Sequence, residues 1–291
     1  MSQFLINPYS LAKDWLLDTY TGAAGAYAVR RLSGSYAGAC LRVRRSNDNT
    51  EQDIGFDAGG NLDEAQLTAF VGANSGFVTT WYDQSGNARN ATQTTSGNQP
   101  RIVNSGTVDK LNNKISLTFD GTDDHLIADG LVSTVTGEDK PLSAFSVASK
   151  NATGSAKVII AFARLSNITP MIHPLRYESA GTFGYFIRDD ASVITYITST
   201  GTYSANTQTL LSVTSSGLNV KQYKNGSGNG INTTFNRGTL TLDTATIGAL
   251  RRTTTSDFWD GKMQEVVFYA SDQDADRSAI DTAINGYYSI Y

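Results

Sequence analysis

Cysteine and histidine are scarce in this 291-residue chain, which has one cysteine and two histidines. Cys40 cannot form an internal disulfide, and its Ala-Gly-Ala-Cys-Leu setting is typical of a small buried residue in a strand, with a reactive thiol as the alternative. His125 and His173 lie far apart and have no partners at metal-ligand spacing, which gives zinc and serine-hydrolase sites little support. We therefore expect two ordinary loop or strand histidines and no metal centre.

Long hydrophobic runs and an excess of basic charge are also missing. No stretch approaches the ~20 apolar residues of a membrane span, and the N-terminus lacks the basic start and apolar run of a secretory signal. The net charge is −4, from 23 basic and 27 acidic residues. Arg42 and Arg44 alternate with apolar residues, as on the solvent face of a strand, with phosphate binding as the alternative. We therefore expect no membrane and no nucleic-acid partner, and synthesis in the cytoplasm.

Proline is rare and glycine is common, with 5 and 27 residues respectively. Many Thr, Ser and Asn residues separate short apolar runs, which is typical of a turn-rich all-β protein. Asp63–Phe70 is the exception and predicts a short helix that Asp63 caps and from which Leu67 points inward. Strands are predicted at Ser143–Lys150, Val158–Ala163, Phe183–Arg188, Val193–Thr198 and Thr209–Thr214.

The C-terminal quarter carries the strongest fold signal. A strand-like run at Val220–Gly226 ends in Asn-Gly, which tolerates the positive φ angles of a tight hairpin. Phe258–Tyr269 predicts a strand with a strongly buried face. Asp276–Tyr291 predicts a helix whose apolar stripe can lie on the sheet. The stripe consists of Ala279, Ile280, Ala283, Ile284, Tyr287 and Tyr288.

These segments, with Ala245–Ala249 between them, occur in the order of the concanavalin A-like (laminin G-like) jelly roll, which the chain resembles. The sequence Phe-Asp-Gly-Thr-Asp-Asp at residues 119–124 is similar to a motif of laminin G-like modules. The resemblance implies an all-β, concanavalin A-like jelly-roll β-sandwich with short peripheral helices. We expect one sandwich domain at residues 20–291, preceded by an N-terminal arm at residues 1–19.

A second resemblance covers the first half of the sandwich. Blocks between Tyr27 and Val103, above all Trp-Tyr-Asp-Gln-Ser-Gly from Trp81, resemble the N-terminal half of the catalytic β-sandwich of fungal α-L-arabinofuranosidases. The same blocks resemble phage virion proteins with a concanavalin A-like domain. The family's catalytic acid would fall in Ile247–Thr253, where the pair Arg251-Arg252 stands, and Glu178 is the only glutamate near the expected nucleophile. The departures from the family pattern predict a protein that is not an enzyme.

Other aspartates are candidates for acid, base or metal roles by residue type. Asp83 lies in an Asp-Gln-Ser-Gly turn, where a carboxylate usually accepts backbone N–H bonds. Asp189-Asp190 most simply ends a strand. Asp120, Asp123 and Asp124 are expected to cap turns, since three carboxylates in one loop make a weak calcium site.

The extreme N-terminus is apolar, which predicts a docking segment, with packing on its own sandwich as the alternative. Its residues are Phe4, Leu5, Ile6, Pro8 and Tyr9. These features together predict a non-enzymatic phage virion structural protein, either a capsid decoration or a tail-associated module. Its expected partners are other virion proteins and further copies of itself in a homo-oligomer. A glycoside hydrolase of arabinofuranosidase type and a bacterial lectin or adhesion module are the alternatives.

A sandwich that faces outward is available to bind host or environmental glycans. Aromatic rings can stack on sugars, while Asp, Asn and Arg side chains can bind hydroxyl groups. One cluster of such residue types is expected to form the carbohydrate site. It consists of Trp259, Asp257, Asp260, Arg251 and Arg252.

Overall fold

The structure of the protein is a computed structural model that describes residues 14–166, 168–232 and 237–291. The strands of the first half are Ala23–Ala28 (β1), Leu41–Arg45 (β2), Glu51–Ile54 (β3), Gly76–Trp81 (β4), Ala91–Thr92 (β5), Arg101–Asn104 (β6), Thr107–Val108 (β7), Lys110–Leu111 (β8), Lys114–Ile115 (β9), Leu117–Asp120 (β10), Leu126–Ile127 (β11) and Gly137–Glu138 (β12). The strands of the second half are Leu142–Lys150 (β13), Lys157–Ala163 (β14), Met171–Tyr177 (β15), Thr182–Arg188 (β16), Ile194–Thr202 (β17), Thr209–Ser215 (β18), Val220–Lys224 (β19), Ser227–Asn232 (β20), Thr239–Leu240 (β21), Thr244–Ile247 (β22) and Asp260–Tyr269 (β23). The α-helical segments are Leu16–Thr19 (α1), Glu64–Val71 (α2), Val132–Val135 (α3) and Arg277–Tyr288 (α4), and 3-10 turns lie at Ser96–Asn98 and Asp129–Leu131.

Antiparallel pairing arranges nineteen of these strands in two layers. The first layer runs β7-β6-β10-β23-β13-β18-β19-β20, and β1 pairs with the second half of β23. The second layer runs β3-β2-β4-β5-β11-β22-β14-β15-β16-β17. The pairing of β4 with β6 joins the layers at one edge. The chain is thus an all-β sandwich, as predicted.

Apolar side chains fill the space between the layers and also the outer face of the first layer. Met263, Val266 and Phe268 point into the main core, while Val267 and Tyr269 point the other way, toward α1 and α4. Because α4 covers that outer face, β23 is buried on both sides. The outer face of the second layer carries only a small apolar cluster around Met171 and Leu250, so most of this face is left for polar side chains.

Several local predictions are confirmed. Asn225 and Gly226 both have positive φ angles, 49° and 74°, in the hairpin between β19 and β20. Asp63 caps α2 by accepting a hydrogen bond from the backbone N–H of Gln66 at 2.9 Å. Cys40 is a free, buried cysteine. Helix α4 is present, and Ile280, Ile284 and Tyr288 are its buried apolar residues.

Other predictions differ from the structure. The predicted stripe of α4 is narrower than expected, because Ala279 and Ala283 are exposed. Arg44 is buried rather than solvent-facing, and its guanidinium donates to Gln99 Oε1 at 2.7 Å. Strand β15, which lies between β14 and β16 in the second layer, was not predicted. Its residues Met171–Tyr177 include Pro174, a residue that argues against a strand interior.

The predicted docking segment, Phe4, Leu5, Ile6, Pro8 and Tyr9, lies outside the described residues. The division into an arm at residues 1–19 and a sandwich at 20–291 stays a prediction. In the structure, Leu16 and Leu17 of α1 pack in the same apolar cluster as Ile284 of α4. Among the described residues, none of the helices is long and apolar enough to cross a membrane.

Candidate functional site

The structure separates the residues of the predicted carbohydrate cluster. Trp259 is completely buried, and its ring packs edge-on against Tyr177 at 4.9 Å, so it does not present a face to solvent. Arg251 is bound to Asp129, with its Nη2 2.6 Å from Oδ2. Asp260 accepts a hydrogen bond from Asn151 Nδ2 at 2.7 Å.

The other two members of the predicted cluster lie elsewhere. Asp257 has a positive φ of 53°, and its carbonyl oxygen accepts a hydrogen bond from the backbone of Val158. Arg252 points toward the outer face of the second layer, where its Nη1 lies 3.5 Å from the carbonyl oxygen of Ile168. Carbohydrate binding by the predicted cluster stays a prediction, but a denser group of polar side chains lies beside Arg252.

That group, which we call the outer-face cluster, consists of His173, Arg176, Glu178, Phe186 and Tyr196. Strand alternation explains its position: Ile172, Leu175 and Tyr177 of β15 point into the main core, so the polar side chains of β15 point outward. The register places His173 opposite Phe186, and Phe186 opposite Tyr196. Three adjacent strands thereby bring the five side chains to one patch.

Arg176 holds the outer-face cluster together. Its Nη1 lies 3.1 Å from His173 Nδ1, its Nε lies 2.7 Å from Glu178 Oε1, and its guanidinium lies 5.5 Å from the centre of the Phe186 ring. The His173 and Phe186 rings stack, with centroids 5.3 Å apart and planes inclined by 30°. The Phe186 and Tyr196 rings follow at 6.2 Å.

Gly184 makes room for the carboxylate of Glu178. Gly184 is the register partner of Arg176 on β16, and a Cβ atom at this position would collide with Glu178 Oε1. Tyr203 fixes the backbone of Glu178, because its hydroxyl donates a hydrogen bond to the Glu178 carbonyl oxygen at 3.0 Å. The carboxylate is therefore placed by both strands of one hairpin.

Burial and charge set the protonation of His173. The imidazole is 1 % exposed, and burial, with the positive charges of Arg176 and Arg252, holds its pKa well below the usual range. The neutral ring has one N–H group. Since the guanidinium of Arg176 can only donate, Nδ1 is the acceptor and the proton lies on Nε2. Nε2 has no hydrogen-bond partner among the described residues.

Other polar atoms of this face also lack hydrogen bonds. Glu178 Oε1 and Arg176 Nε form an ion pair at 2.7 Å, but neither atom has a hydrogen-bond partner in the described part of the chain. Nε of Arg252 is buried and has no hydrogen-bond partner among the described residues. Buried polar groups in folded proteins are nearly always bonded, so a concentration of unbonded groups points to a polar ligand.

Tyr196 is the outermost member of the outer-face cluster, with 43 % of the residue exposed. Partial burial, and to a smaller extent the negative charge of Glu178, raise the pKa of its hydroxyl, while hydrogen bonding to Thr198 lowers it. The phenol is therefore protonated near neutral pH. An incoming molecule meets Tyr196 first and Glu178, whose side chain is 9 % exposed, behind it.

Two other candidate aspartates accept hydrogen bonds from backbone N–H groups in or near their own loops. Asp83 accepts backbone N–H bonds from Ala26, Ser85 and Arg89, each at 2.9 Å, which fits the expected role in a turn. Asp189 closes the turn after β16 by accepting from the backbone N–H of Val193 at 2.8 Å.

The acidic loop after β10 is likewise bonded to itself. Asp120 Oδ1 accepts from the backbone N–H groups of Thr122 and Asp123, and Asp124 Oδ2 accepts from that of Asp120. Carboxylate oxygens of the three aspartates lie within 4.8 Å of one another. These bonds fit the predicted turn-capping role, and calcium binding stays the untested alternative.

Comparisons with known proteins point to one group of enzymes. A family model, the catalytic region of α-L-arabinofuranosidase B, matches residues 18–141. A GH54 α-L-arabinofuranosidase soaked with a cyclic sulfate inhibitor has a similar structure, with a TM-score of 0.65 and 17% identity over 92% of this chain and 64% of that chain. An arabinofuranosidase complexed with arabinofuranosyl-α-1,2-xylobiose has a TM-score of 0.65 and 16% identity over the same shares. No curated protein matches the chain.

A third structure is a Glu-to-Gln mutant of a GH54 α-L-arabinofuranosidase soaked with 4-nitrophenyl α-L-arabinofuranoside, with a TM-score of 0.62 and 15% identity. The chain thus spans about 64% of the length of these arabinofuranosidases. The similarity shows a shared β-sandwich fold, and the family-model match confirms the arabinofuranosidase-like first half.

The predicted function is corrected by these findings. The prediction of a non-enzymatic phage virion structural protein is wrong, because the matched family model is that of a catalytic domain and the similar structures are arabinofuranosidases. The prediction that the chain is not an enzyme is wrong for the same reason. It relied on a search for the family's carboxylates at their expected places in the sequence. Oligomeric state, partners and location stay predictions.

Sequence reasoning missed the outer-face cluster almost entirely. Glu178 is named from the sequence as a glutamate of the middle region, but β15, the strand that ends directly before it, was not predicted. The alternation of side chains in Phe183–Arg188 is the signal that could have indicated this face. It places Phe186 on the outward side of its strand, next to the side chains of the neighbouring strand.

Proposed function

We propose that this chain is a glycoside hydrolase that acts on arabinofuranosyl residues of glycans, and that its reactive groups are Glu178 and Tyr196. The observation that carries the proposal is the position of the Glu178 carboxylate, which is nearly buried beneath the exposed Tyr196 and is held by Arg176 Nε at 2.7 Å. The matches to arabinofuranosidases support the choice of substrate class.

Most glycosidases use two carboxyl groups, but some use a tyrosine nucleophile. Glu178 is the one carboxylate of the outer-face cluster, and Tyr196 is the exposed group beside it, so the second arrangement fits these residues better. As the Tyr196 oxygen forms a bond to the anomeric carbon, Glu178 accepts the phenolic proton and passes it to the departing glycosidic oxygen as the glycosidic C–O bond breaks. Water then attacks the anomeric carbon, gives its proton to the leaving Tyr196 oxygen through Glu178, and releases the sugar.

The remaining members of the cluster position the sugar. Arg176 fixes the Glu178 carboxylate, and the neutral His173 offers its Nε2 proton to a hydroxyl group. Phe186 and Tyr196 supply the apolar surface on which a sugar ring packs. Hydrogen-bond donors that are fixed in advance need no reorganisation during the reaction, which is the usual source of their effect on rate.

The test is the release of 4-nitrophenol from 4-nitrophenyl α-L-arabinofuranoside, with other 4-nitrophenyl glycosides for comparison. We expect hydrolysis by the natural chain and a loss of about 10²-fold or more in kcat for Glu178→Gln and for Tyr196→Phe. Glu138→Gln, the same change at an exposed glutamate of β12, is the control and should keep full activity.

Two results would contradict the proposal. One is the absence of hydrolysis with every glycoside by a protein whose folding is verified by circular dichroism. The other is hydrolysis that both variants retain, which would place the reactive groups elsewhere in the chain.

A further inference from the structure

A groove lies beside Tyr196, between β17 and the hairpin of β19 and β20. It has a volume of about 500 Å³, and its lining includes Thr198, Gln222, Gly228, Asn229 and Ile231. This volume is within the usual range of small-molecule sites, roughly 300–1,000 Å³. The groove therefore has room for part of a glycan.

Two buried amide side chains in the lining lack partners. Gln222 is 1 % exposed, and neither its Oε1 nor its Nε2 has a hydrogen-bond partner among the described residues. Asn229 is 4 % exposed; its Oδ1 accepts from the backbone N–H of Gly201 at 2.8 Å, while its Nδ2 is unpaired. One acceptor and two donor groups are thus left in the groove wall, which is the pattern that a sugar hydroxyl group, both donor and acceptor, can satisfy.

Glycines leave space in front of these buried amides. Residue 228 is glycine, and a Cβ atom there would meet nothing within 4 Å. At Gly230 an added Cβ atom would lie 3.5 Å from Gln222 Oε1, so a larger side chain would cover the amide. Ile231 adds an apolar rim, since it is 61 % exposed.

The charges around the groove favour a neutral occupant. Lys221 is the charged residue of the lining, and its Nζ is already paired with Asp274 at 2.5 Å. Tyr223 is occupied on its other side, where the guanidinium of Arg277 lies 3.8 Å from the ring centre. The lining groups without hydrogen-bond partners among the described residues are the uncharged amides of Gln222 and Asn229.

The groove continues the outer-face cluster. Tyr196 and Thr198 lie on the same face of β17, two residues apart, which is a separation of about 6.6 Å along a strand. Thr198 lines the groove and also bonds the Tyr196 hydroxyl. A sugar held at Tyr196 would therefore direct its neighbour in the glycan chain into the groove.

We propose that this groove is a subsite for the next, uncharged sugar residue of the glycan, with Gln222 and Asn229 as its hydroxyl-binding groups. The inference rests on the proposed function for its position, but its test is a binding measurement that needs no turnover.

The experiment measures affinity by calorimetry in the Glu178→Gln protein. The probes are methyl α-L-arabinofuranoside and arabinofuranosyl-α-1,2-xylobiose. We expect the longer probe to bind about tenfold more tightly or better, as one or two hydrogen bonds in a buried site would give. Adding Gln222→Met, which removes the amide at nearly constant volume, should abolish this difference.

A second variant covers the case in which Gln222→Met fails to fold. Gly228→Leu, at an open position of the hairpin, should block the groove and abolish the same difference. Gln52→Met, on β3 and remote from the groove, is the matched control and should keep it.

The outcomes separate the two proposals. Equal affinity for both probes, or a difference that survives both groove variants, overturns the subsite. Hydrolysis of 4-nitrophenyl α-L-arabinofuranoside without any gain from the longer probe overturns the subsite alone. A gain that Gln222→Met removes, in a protein that hydrolyses nothing, supports the subsite and overturns the hydrolase.

Discussion

Arg30 and Glu265 form a two-point ion pair inside the protein, with Nε 2.6 Å from Oε2 and Nη2 2.9 Å from Oε1. Glu265 is completely buried on β23, and Arg30 is 7 % exposed in the segment after β1. The guanidinium also lies 4.9 Å from the centre of the Tyr287 ring of α4. The pair thus connects β23 and the segment after β1 to the C-terminal helix.

Removing one member of this pair should strongly destabilise the fold. Breaking a buried pair leaves an uncompensated charge and typically costs about 3–5 kcal/mol. We expect Arg30→Met to lower the free energy of unfolding by this amount in urea titrations. Arg42→Met is the control, because Arg42 and Asp53 are each 44% exposed and such surface pairs contribute about 0–1 kcal/mol. Equal losses in both variants would contradict the prediction.

Gly184→Ala tests the placement of the Glu178 carboxylate. The new methyl group would collide with Glu178 Oε1, so the carboxylate must move away from Arg176. We expect a loss of hydrolysis of about 10²-fold, the usual effect of misplacing a reacting group by about 1 Å.

Gly286→Ala makes the same change at an open site in α4. It should leave hydrolysis unchanged and stabilise the helix by about 0.5–1 kcal/mol, because glycine is a poor helix former. Full activity of Gly184→Ala would show that the exact position of Glu178 is unimportant.

Asp124 should make stability fall as pH rises. Burial, and then the charge of Asp120, raise its pKa from 3.8 to about 7. Between these two values the folded state binds a proton that the unfolded state has lost, so stability is greatest below pH 4 for this group and declines up to pH 7. The total effect is at most a few kcal/mol.

The measurement compares urea unfolding at pH 5 and pH 7.5 in the natural chain and in Asp124→Asn. Other groups titrate in the same range: the pKa values of His125 and His173 are lowered by burial, which favours stability at higher pH. The difference between the two proteins isolates Asp124. An unchanged pH dependence in the variant would contradict the prediction.

Cys40 should be unreactive while the protein is folded. The thiol is completely buried, and burial raises its pKa far above the usual range, so almost no thiolate is present at neutral pH. We expect a thiol reagent such as DTNB to label it only in denaturant. Rapid labelling of the native protein, with a matched Cys40→Ala blank, would contradict this.

The sequence predicted the β-sandwich and many of its elements, because local signals are strong there. The hairpin at Asn225-Gly226, the cap at Asp63 and the stripe of α4 each depend on residues close together in the chain. Turn chemistry and periodicity determine such features before any packing occurs.

The site was not predicted because it depends on pairing between strands. Pro174 conceals β15, and without this strand the outward side chains of β16 have no neighbours. Trp259 was chosen as an exposed ring on residue type alone, but its strand neighbours bury it. Whether a side chain is buried depends on which layers pack against its strand, and Trp259 lies in the main core between the two layers.

Helix α4 covers the outer face of the first layer, whereas the outer face of the second layer has no such cover among the described residues, so the two layers differ in their resistance to local unfolding. β13 and β18 are buried at every position, while β17 alternates between exposed and buried residues at the other side of the sandwich. Amide hydrogens of β13 should therefore exchange only with global unfolding, and those of β17 by smaller fluctuations. A sugar bound at Tyr196 would slow exchange in β17 and leave β13 unchanged, so the deuterium uptake of one strand reports occupancy of the site.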